Sequence, residues 1–543
     1  MTAGKRSGVA AVGVLAAGFV LLAGCGSSGT ATNGSSPASG SPLPFASPPA
    51  EGNPGAHSAV SIPQSQIDLA VSDLDAIVSD IMAKSGVPGL SVAVVHNDKP
   101  VYVKGFGVRK LGSPETVDDQ TVFQLASLSK PVGSSVVASV VGGGSVSWDD
   151  PITKYLPAFA LKDPWVSRNV TVADMYSHRS GLPKAAGDLL EDIGYDRAQV
   201  LARLRYLPLG PFRAQYAYAN FGLTTGAQAV AASQNIEWSA LSKQRIYDPL
   251  GMTSTSSDFA DYIAAPNRAV THAYIDGKYV PKYVRDPQAQ SPAGGVSSNA
   301  ADMAKWLRME LADGKFDGKQ VVDSAALAQS RVPYMTTSGP QPADVRPASY
   351  GLGVGVGVDD TGRVRFSHSG AFLLGASTVV NLLPSEKLGI VVLTNGAPQG
   401  VPEAIAATFL DMVETGTISR DWFPAYEHVM QGLYTNPSKL AGKSAPTNPA
   451  PSAPLTALTG TYANPYYGPV RITVVNGKLS AAIGPKDVRF ELTHWDGNTF
   501  SMMPVGENAL GIAAVDFAKP VAGKSPSVTF EFFNAEGLGT FKR

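Results

Sequence analysis

One cysteine in 543 residues excludes an internal disulfide, so any core in this chain is held by packing. Charge is also sparse and balanced. Asp, Glu, Lys and Arg make up 16% of the chain, and 43 basic against 44 acidic residues leave a formal net charge of −1, no electrostatic footprint for nucleic acid. The seven histidines are scattered, with neither His-Glu-x-x-His nor clustered Cys/His spacing, which argues against a structural or catalytic zinc. What is plentiful is apolar: 44% hydrophobic residues over this length can bury large cores in two or more domains.

The cysteine closes the longest apolar run. Lys5 and Arg6 precede Val9 to Leu22, then come Leu22-Ala23-Gly24-Cys25, a signal-peptide pattern too short for a comfortable membrane span. Leu-Ala-Gly-Cys resembles the bacterial lipobox. That resemblance implies cleavage after residue 24, lipid on the sulfur and new amino terminus of Cys25, and a protein anchored to the outer face of the cell membrane. Removing residues 1–24 takes off two basic residues and no acid, leaving a net charge of −3. Residues 25–64 are mostly Ser, Gly, Pro, Ala and Thr and read as a disordered tether.

A globular region is expected over residues 65–432. Ile67, Val71, Leu74, Ile77, Val78 and Ile81 mark one face of a helix from Gln66 to Lys84, ended by Gly86. Leu90–Val95 and Val101–Val108 read as strands of a hairpin around His96-Asn97-Asp98-Lys99.

The chemistry is expected at Phe123-Gln124-Leu125-Ala126-Ser127-Leu128-Ser129-Lys130-Pro131. Ser127 and Lys130 are three apart and stand one turn above each other on a helix, within reach for proton transfer. Val132, Val136, Val137, Val140 and Val141 continue that helix, and Gly142-Gly143-Gly144 ends it. Pro131 is cheap only among the first four helical residues, which places Ser127 at the N-terminal end, where free NH groups and the helix dipole favour a developing oxyanion. Ser-x-x-Lys alone is weak, since a capped helix with a solvated lysine has the same pattern.

Its partners lie downstream. A long, largely helical and irregular insertion follows, containing Ser177-His178-Arg179-Ser180-Gly181-Leu182, where His178 reads as a structural hydrogen-bonder. Tyr218 and Asn220 form Tyr-x-Asn; a tyrosine beside a lysine ammonium loses its proton more readily and can act as a base. Ala293-Gly294-Gly295-Val296 leads into an amphipathic helix from Ala300 to Leu311. His368-Ser369-Gly370-Ala371 precedes two strands, Ser377–Leu383 and Leu388–Leu393, and a helix from Pro402 to Val413 follows; the hydrolase-like region fades after Trp422.

Taken in order, Ser-x-x-Lys, Tyr-x-Asn and His-x-Gly resemble the penicillin-recognising serine hydrolases, in the branch of class C β-lactamases, D-alanyl-D-alanine carboxypeptidases, D-aminopeptidases and related esterases. The likeness spans about Ile67 to Val413. It implies an α+β fold, an antiparallel sheet flanked by helices with a helical lobe inserted across the active site, and no cofactor. It implies an acyl-enzyme on Ser127, protons managed by Lys130 and Tyr218, Asn220 holding Lys130 or the substrate amide, and an oxyanion hole from the NH groups of Ser127 and Ala371. His368 and Gly370 would line the far side of the substrate. Most β-lactamases carry lysine in place of His368, so peptide, amide or ester substrates of the envelope are favoured. The alternatives are a β-lactamase or penicillin-binding carboxypeptidase, and an inactive binding protein.

Residues 433–455 are Pro-rich and read as an interdomain linker sharing few contacts with its neighbours. Seven short strand-like runs over 456–543, the last at Val528–Phe533, predict a small antiparallel barrel or sandwich. It resembles the lipocalin-like domain appended to many hydrolases of this family, where it covers the active-site mouth or mediates assembly.

Overall fold

The computed structural model describes residues 53–339 and 341–543. The signal peptide, Cys25 and most of the tether lie outside the described residues. The end of the tether does not read as disordered: Pro54–Ala56 form a 3₁₀ turn capped by Asn53, and the Arg363 guanidinium donates to the Val60 carbonyl.

The expected first helix is two, α1 (Gln64–Ser72) and α2 (Leu74–Ser85), meeting at Asp73. Asp73 breaks regularity without breaking direction, since its NH still reaches Leu69 O and its carbonyl still accepts from Ile77, both at 3.0 Å. Gly86 ends α2 at φ +68° as a left-handed cap.

The central sheet is antiparallel throughout, with eight strands: β1 (Gly89–His96), β2 (Lys99–Gly107), β3 (Met335–Thr336), β4 (Ser349–Tyr350), β5 (Gly355–Val358), β6 (Val364–Phe372), β7 (Ala376–Leu383) and β8 (Leu388–Thr394), in the order β2-β1-β8-β7-β6-β5-β4-β3. Strands β1, β7 and β8 are buried along their whole length because helices cover both faces. Leu90, Val92, Val94, Ile390 and Val392 pack toward α1 and α2, whereas Ala93, Val95, Val391 and Leu393 face the opposite core. Each such Val, Leu or Ile contributes roughly 1.5–3 kcal/mol on burial.

That opposite core holds α3 (Ser129–Gly142), the short helix α4 (Asp188–Asp192), α5 (Asn220–Ser233) and α6 (Ala300–Leu311), while α7 (Val401–Thr415) covers the α1–α2 side. The helix Trp422–Gln431 packs on α7, inside the expected bounds of 65–432.

The C-terminal unit is an eight-stranded antiparallel meander, β9 (Gly460–Tyr462), β10 (Val470–Val475), β11 (Lys478–Ile483), β12 (Val488–Asp496), β13 (Thr499–Met502), β14 (Ala513–Phe517), β15 (Ser527–Phe530) and β16 (Thr540–Lys542). Reciprocal hydrogen bonds between Ala463 and Lys542, 2.6 and 2.9 Å, bring the last strand back to the first and close a small barrel. Strand β16 is the one the sequence reading lacked.

The expectation of few shared contacts is corrected. Leu433 and Leu440 of the Pro-rich segment are buried, and Asn436 Nδ2 donates to Ile512 O at 2.9 Å. Gly187 NH donates to Tyr466 Oη at 3.1 Å, Tyr195 Oη donates to Tyr467 O at 3.0 Å, and the barrel shares one apolar core with the hydrolase lobe.

Candidate active site

Ser127 sits in a 3₁₀ turn, Ala126–Leu128, that runs directly into α3. Ala126 holds φ +48°, an uncommon conformation for a residue with a Cβ, and the surroundings over-determine it. Leu125 NH bonds Val296 O at 2.9 Å and its carbonyl accepts from Thr378 Oγ1 at 2.8 Å. Ser129 Oγ donates to Ala126 O at 2.6 Å and accepts from Val296 NH at 2.9 Å, which ties the turn to Ala293-Gly294-Gly295-Val296.

Lys130 is fully buried, and its Nζ lies 2.9 Å from Ser127 Oγ, 2.8 Å from Asn220 Oδ1 and 2.9 Å from Ala293 O. Burial pushes its pKa down from 10.5 to about 7, against the opposing pull of Asp188. Each of the three contacts is a hydrogen bond that Nζ can donate as an ammonium, and loss of one proton near pH 7 gives the neutral amine. Two N–H bonds go to the two fixed carbonyl oxygens, and the lone pair is left for the serine proton.

Tyr218 Oη donates to Ser127 Oγ at 2.9 Å, and Lys130 Nζ lies 4.5 Å from its ring centroid. The expected easing of its ionisation does not occur: burial drives its pKa well above 10, outweighing the hydrogen bond to Ser127, so Tyr218 is a proton donor in the resting site. His178 accepts from Ala219 NH at 3.2 Å through Nδ1 and packs its ring 4.4 Å from that of Tyr218, holding the phenol in place.

His368 requires a correction. Its Nδ1 donates to Ser369 O at 2.7 Å and its Nε2 accepts from Tyr350 Oη at 2.8 Å, so both nitrogens are engaged inside the protein. Burial, then the neighbouring Lys130, lowers its pKa to about 3; it is neutral and does not line the cleft beside Ser127. Gly370 acts by having no side chain, because a Cβ there would lie 2.3 Å from Leu125 O and 3.0 Å from Ser127 N. Ala371 lines the cleft on β6 beyond Ser367, where β5 stops pairing with it.

Four further residues were missed from sequence. Asn220 Nδ2 donates to Asp188 Oδ2 at 3.1 Å, which fixes the amide so that its oxygen faces Lys130. Asp188 is buried, with Oδ1 unpartnered; burial and nearby Glu191 raise its pKa to about 8. Arg285 pairs with Glu191, and its Nε lies 3.9 Å from Glu507 Oε2; burial disfavours its charge, but Glu191, Glu507 and Asp192 outweigh that and keep it cationic. Glu507 and Asn508 come from the barrel. Glu507 accepts from Leu373 NH at 2.5 Å and Leu374 NH at 3.3 Å, while Asp192 accepts from the Glu507 and Asn508 NH groups at 3.1 and 3.2 Å. A local cue existed in Asp188-Leu189-Leu190-Glu191-Asp192, three acids in five residues, but nothing local pointed to Arg285 or Glu507. Ser127, Asp188, Tyr218, Asn220, Arg285 and Glu507 all line one cleft of about 60 Å³.

The family model for beta-lactamase matches residues 74–412, well over half of the chain. The chain belongs to the beta-lactamase family. As a member it is a serine hydrolase, with Ser127, Lys130 and Tyr218 already in mutual contact. A second model, a domain of unknown function (DUF3471), matches residues 444–539, the barrel.

Unguisins hydrolase ungD of Aspergillus violaceofuscus is 23% identical over 501 residues, covering 84% of this chain and 87% of that protein. The D-alanyl-D-alanine-carboxypeptidase/endopeptidase AmpH of Escherichia coli is 23% identical over 62% of this chain and 86% of its own. The octameric penicillin-binding protein homologue from Pyrococcus abyssi has the same fold, with a TM-score of 0.57 at 19% identity, covering 87% of this chain and all of that one.

Proposed function

We infer that this beta-lactamase-family protein hydrolyses amide or ester substrates of the cell envelope through an acyl-enzyme on Ser127, while tethered to the membrane by lipid on Cys25. The observation that carries the catalytic part is the convergence of Lys130 Nζ and Tyr218 Oη on one oxygen, Ser127 Oγ, each at 2.9 Å. Neutral Lys130 takes the serine proton as Oγ attacks the carbonyl. The NH groups of Ser127 and Ala371 receive the oxyanion, at the start of a helix and at an unpaired strand edge. Tyr218 passes its proton to the leaving group and is reprotonated through Lys130; in deacylation the pair activates water by the reverse path. Asn220 holds Lys130 in register and Asp188 holds Asn220.

The tether rests on Lys5, Arg6, the apolar run and Leu-Ala-Gly-Cys25. The barrel, read as lipocalin-like, forms one wall of the site through Glu507 and Asn508. The test is turnover of p-nitrophenyl propionate by the wild type and Ser127→Ala. Hydrolysis is expected to fall by three or more orders of magnitude in the variant, and retention of a tenth of the activity would remove Ser127 from its role.

A further inference from the structure

A short path of hydrogen bonds and one peptide link joins Lys130 to the barrel. Lys130 Nζ donates to Asn220 Oδ1 at 2.8 Å, and Asn220 Nδ2 donates to Asp188 Oδ2 at 3.1 Å. Asp188 opens α4, whose N-cap residue, the buried Gly187, has no side chain to offer. The Gly187 NH donates instead to Tyr466 Oη of the barrel, 3.1 Å away. Five residues are too few to hold a helix against its nucleation cost, so α4 owes its place to its surroundings. Its own lobe supplies the Arg285 ion pair at Glu191 and the packing of the buried Leu190. The barrel grips both ends. At the first, Tyr466 is 3% exposed, and its loop is pinned where Asn464 Oδ1 accepts from the Tyr466 and Tyr467 NH groups at 2.9 and 2.8 Å. At the last, Asp192 accepts from the Glu507 NH at 3.1 Å, the Asn508 NH at 3.2 Å and Asn508 Nδ2 at 2.8 Å.

We propose that Tyr466 is a positioning residue for acylation: through Tyr466 and α4 the barrel sets where Asp188 holds Asn220, and so where Asn220 holds Lys130 against Ser127. This rests on the acyl-enzyme reading above. The tolerance is tight, since Lys130 Nζ meets Ser127 Oγ at 2.9 Å and a displacement of about 1 Å at reacting groups costs on the order of a hundredfold in rate. Loss of the Tyr466 hydroxyl leaves the Gly187 NH buried without its acceptor, a cost that the start of α4 relieves only by shifting. The Tyr466 ring, packed edge-on against Tyr467 with centroids 4.7 Å apart, stays in place in Tyr466→Phe, so that variant removes the pin and keeps the packing.

The test is the second-order rate of Ser127 labelling by a fluorophosphonate in the full chain, read in a double-mutant cycle with melting temperatures recorded alongside. Tyr466→Phe is expected to slow labelling about fivefold or more. Asn220→Ala cuts the path between Tyr466 and Lys130, so adding Tyr466→Phe to it is expected to slow labelling by no more than about twofold further. Tyr195→Phe removes a bond of the same kind between lobe and barrel, to Tyr467 O at 3.0 Å, that lies off the path. It is expected to lower melting as Tyr466→Phe does and to leave labelling within about twofold of the wild type. Asp192→Ala releases the other end of α4 and takes the place of Tyr466→Phe in the same cycle if that variant does not fold. Wild-type labelling rates in Tyr466→Phe and Asp192→Ala overturn the proposal, and so does an equal slowing with and without Asn220. A loss of rate in Tyr195→Phe as large as that in Tyr466→Phe also overturns it, because the effect is then a general loosening of the barrel. Each of these outcomes leaves the acyl-enzyme reading intact. A wild type that is not labelled at Ser127 overturns both.

Discussion

The pH dependence of acylation follows from Lys130. An ordinary lysine at pH 7 is neutral in roughly one molecule in 3,000, whereas one with a pKa of about 7 is neutral in roughly half. The difference between 10.5 and about 7 corresponds to ~5 kcal/mol disfavouring the ammonium, caused by complete burial and partly relieved by Asp188. The sign is fixed: the base is the deprotonated form, so the rate rises with pH and levels off above the folded-state pKa. Fluorophosphonate labelling of Ser127 measured from pH 5 to 9.5 should show one ascending limb centred near 7. A rate flat across the range or a limb near 10 would refute a neutral Lys130 base.

Gly370→Ala is expected to cost at least about a hundredfold in kcat/KM, because its Cβ would lie 2.3 Å from Leu125 O and Thr378 Oγ1 and must move the strand or the Ser127 turn; wild-type kinetics would contradict that geometry. His368→Lys places an ammonium in a buried site shaped around Tyr350 and the Ser369 carbonyl, so the midpoint of urea unfolding should fall by the equivalent of a few kcal/mol. Unchanged stability would show an outlet to solvent for that side chain. A chain ending at Gly432 loses Tyr466, Tyr467 and the Asp192 contacts and should be insoluble or melt well below the full chain; equal melting would restore the picture of independent domains. Cys25→Ala should abolish incorporation of a metabolic fatty-acid label, and continued labelling would remove the lipobox reading.

Much of this molecule was legible in its residues, for identifiable reasons. The α6 helix matches its expected bounds because its apolar face is periodic and Asn299 caps it, accepting from Asp302 NH at 2.7 Å. The β11 strand matches because turn residues flank it on both sides. Ser127, Lys130, Tyr218 and Asn220 meet in one cluster, as local spacing and order suggested. Periodicity ran through Asp73 because the apolar stripe continues across the break, and β16 escaped because three residues carry too little pattern. The larger omissions are tertiary. Asp188, Arg285 and Glu507 come from a five-residue helix, a loop and the barrel, and only the packed chain brings them to one wall. His368 was misplaced for a related cause: its strand position was legible, but its partner Tyr350 belongs to β4, too short to foresee.

The central claim, a covalent acyl-enzyme on Ser127 formed through Lys130, is tested most directly by intact-mass spectrometry of protein quenched in acid during turnover of an activated ester. The account predicts one acyl adduct per chain, located by peptide mapping to Phe123–Lys130, absent in Ser127→Ala and greatly slowed in Lys130→Met. Turnover that proceeds with no adduct at any quench time, or an adduct that persists on another residue in Ser127→Ala, would contradict it.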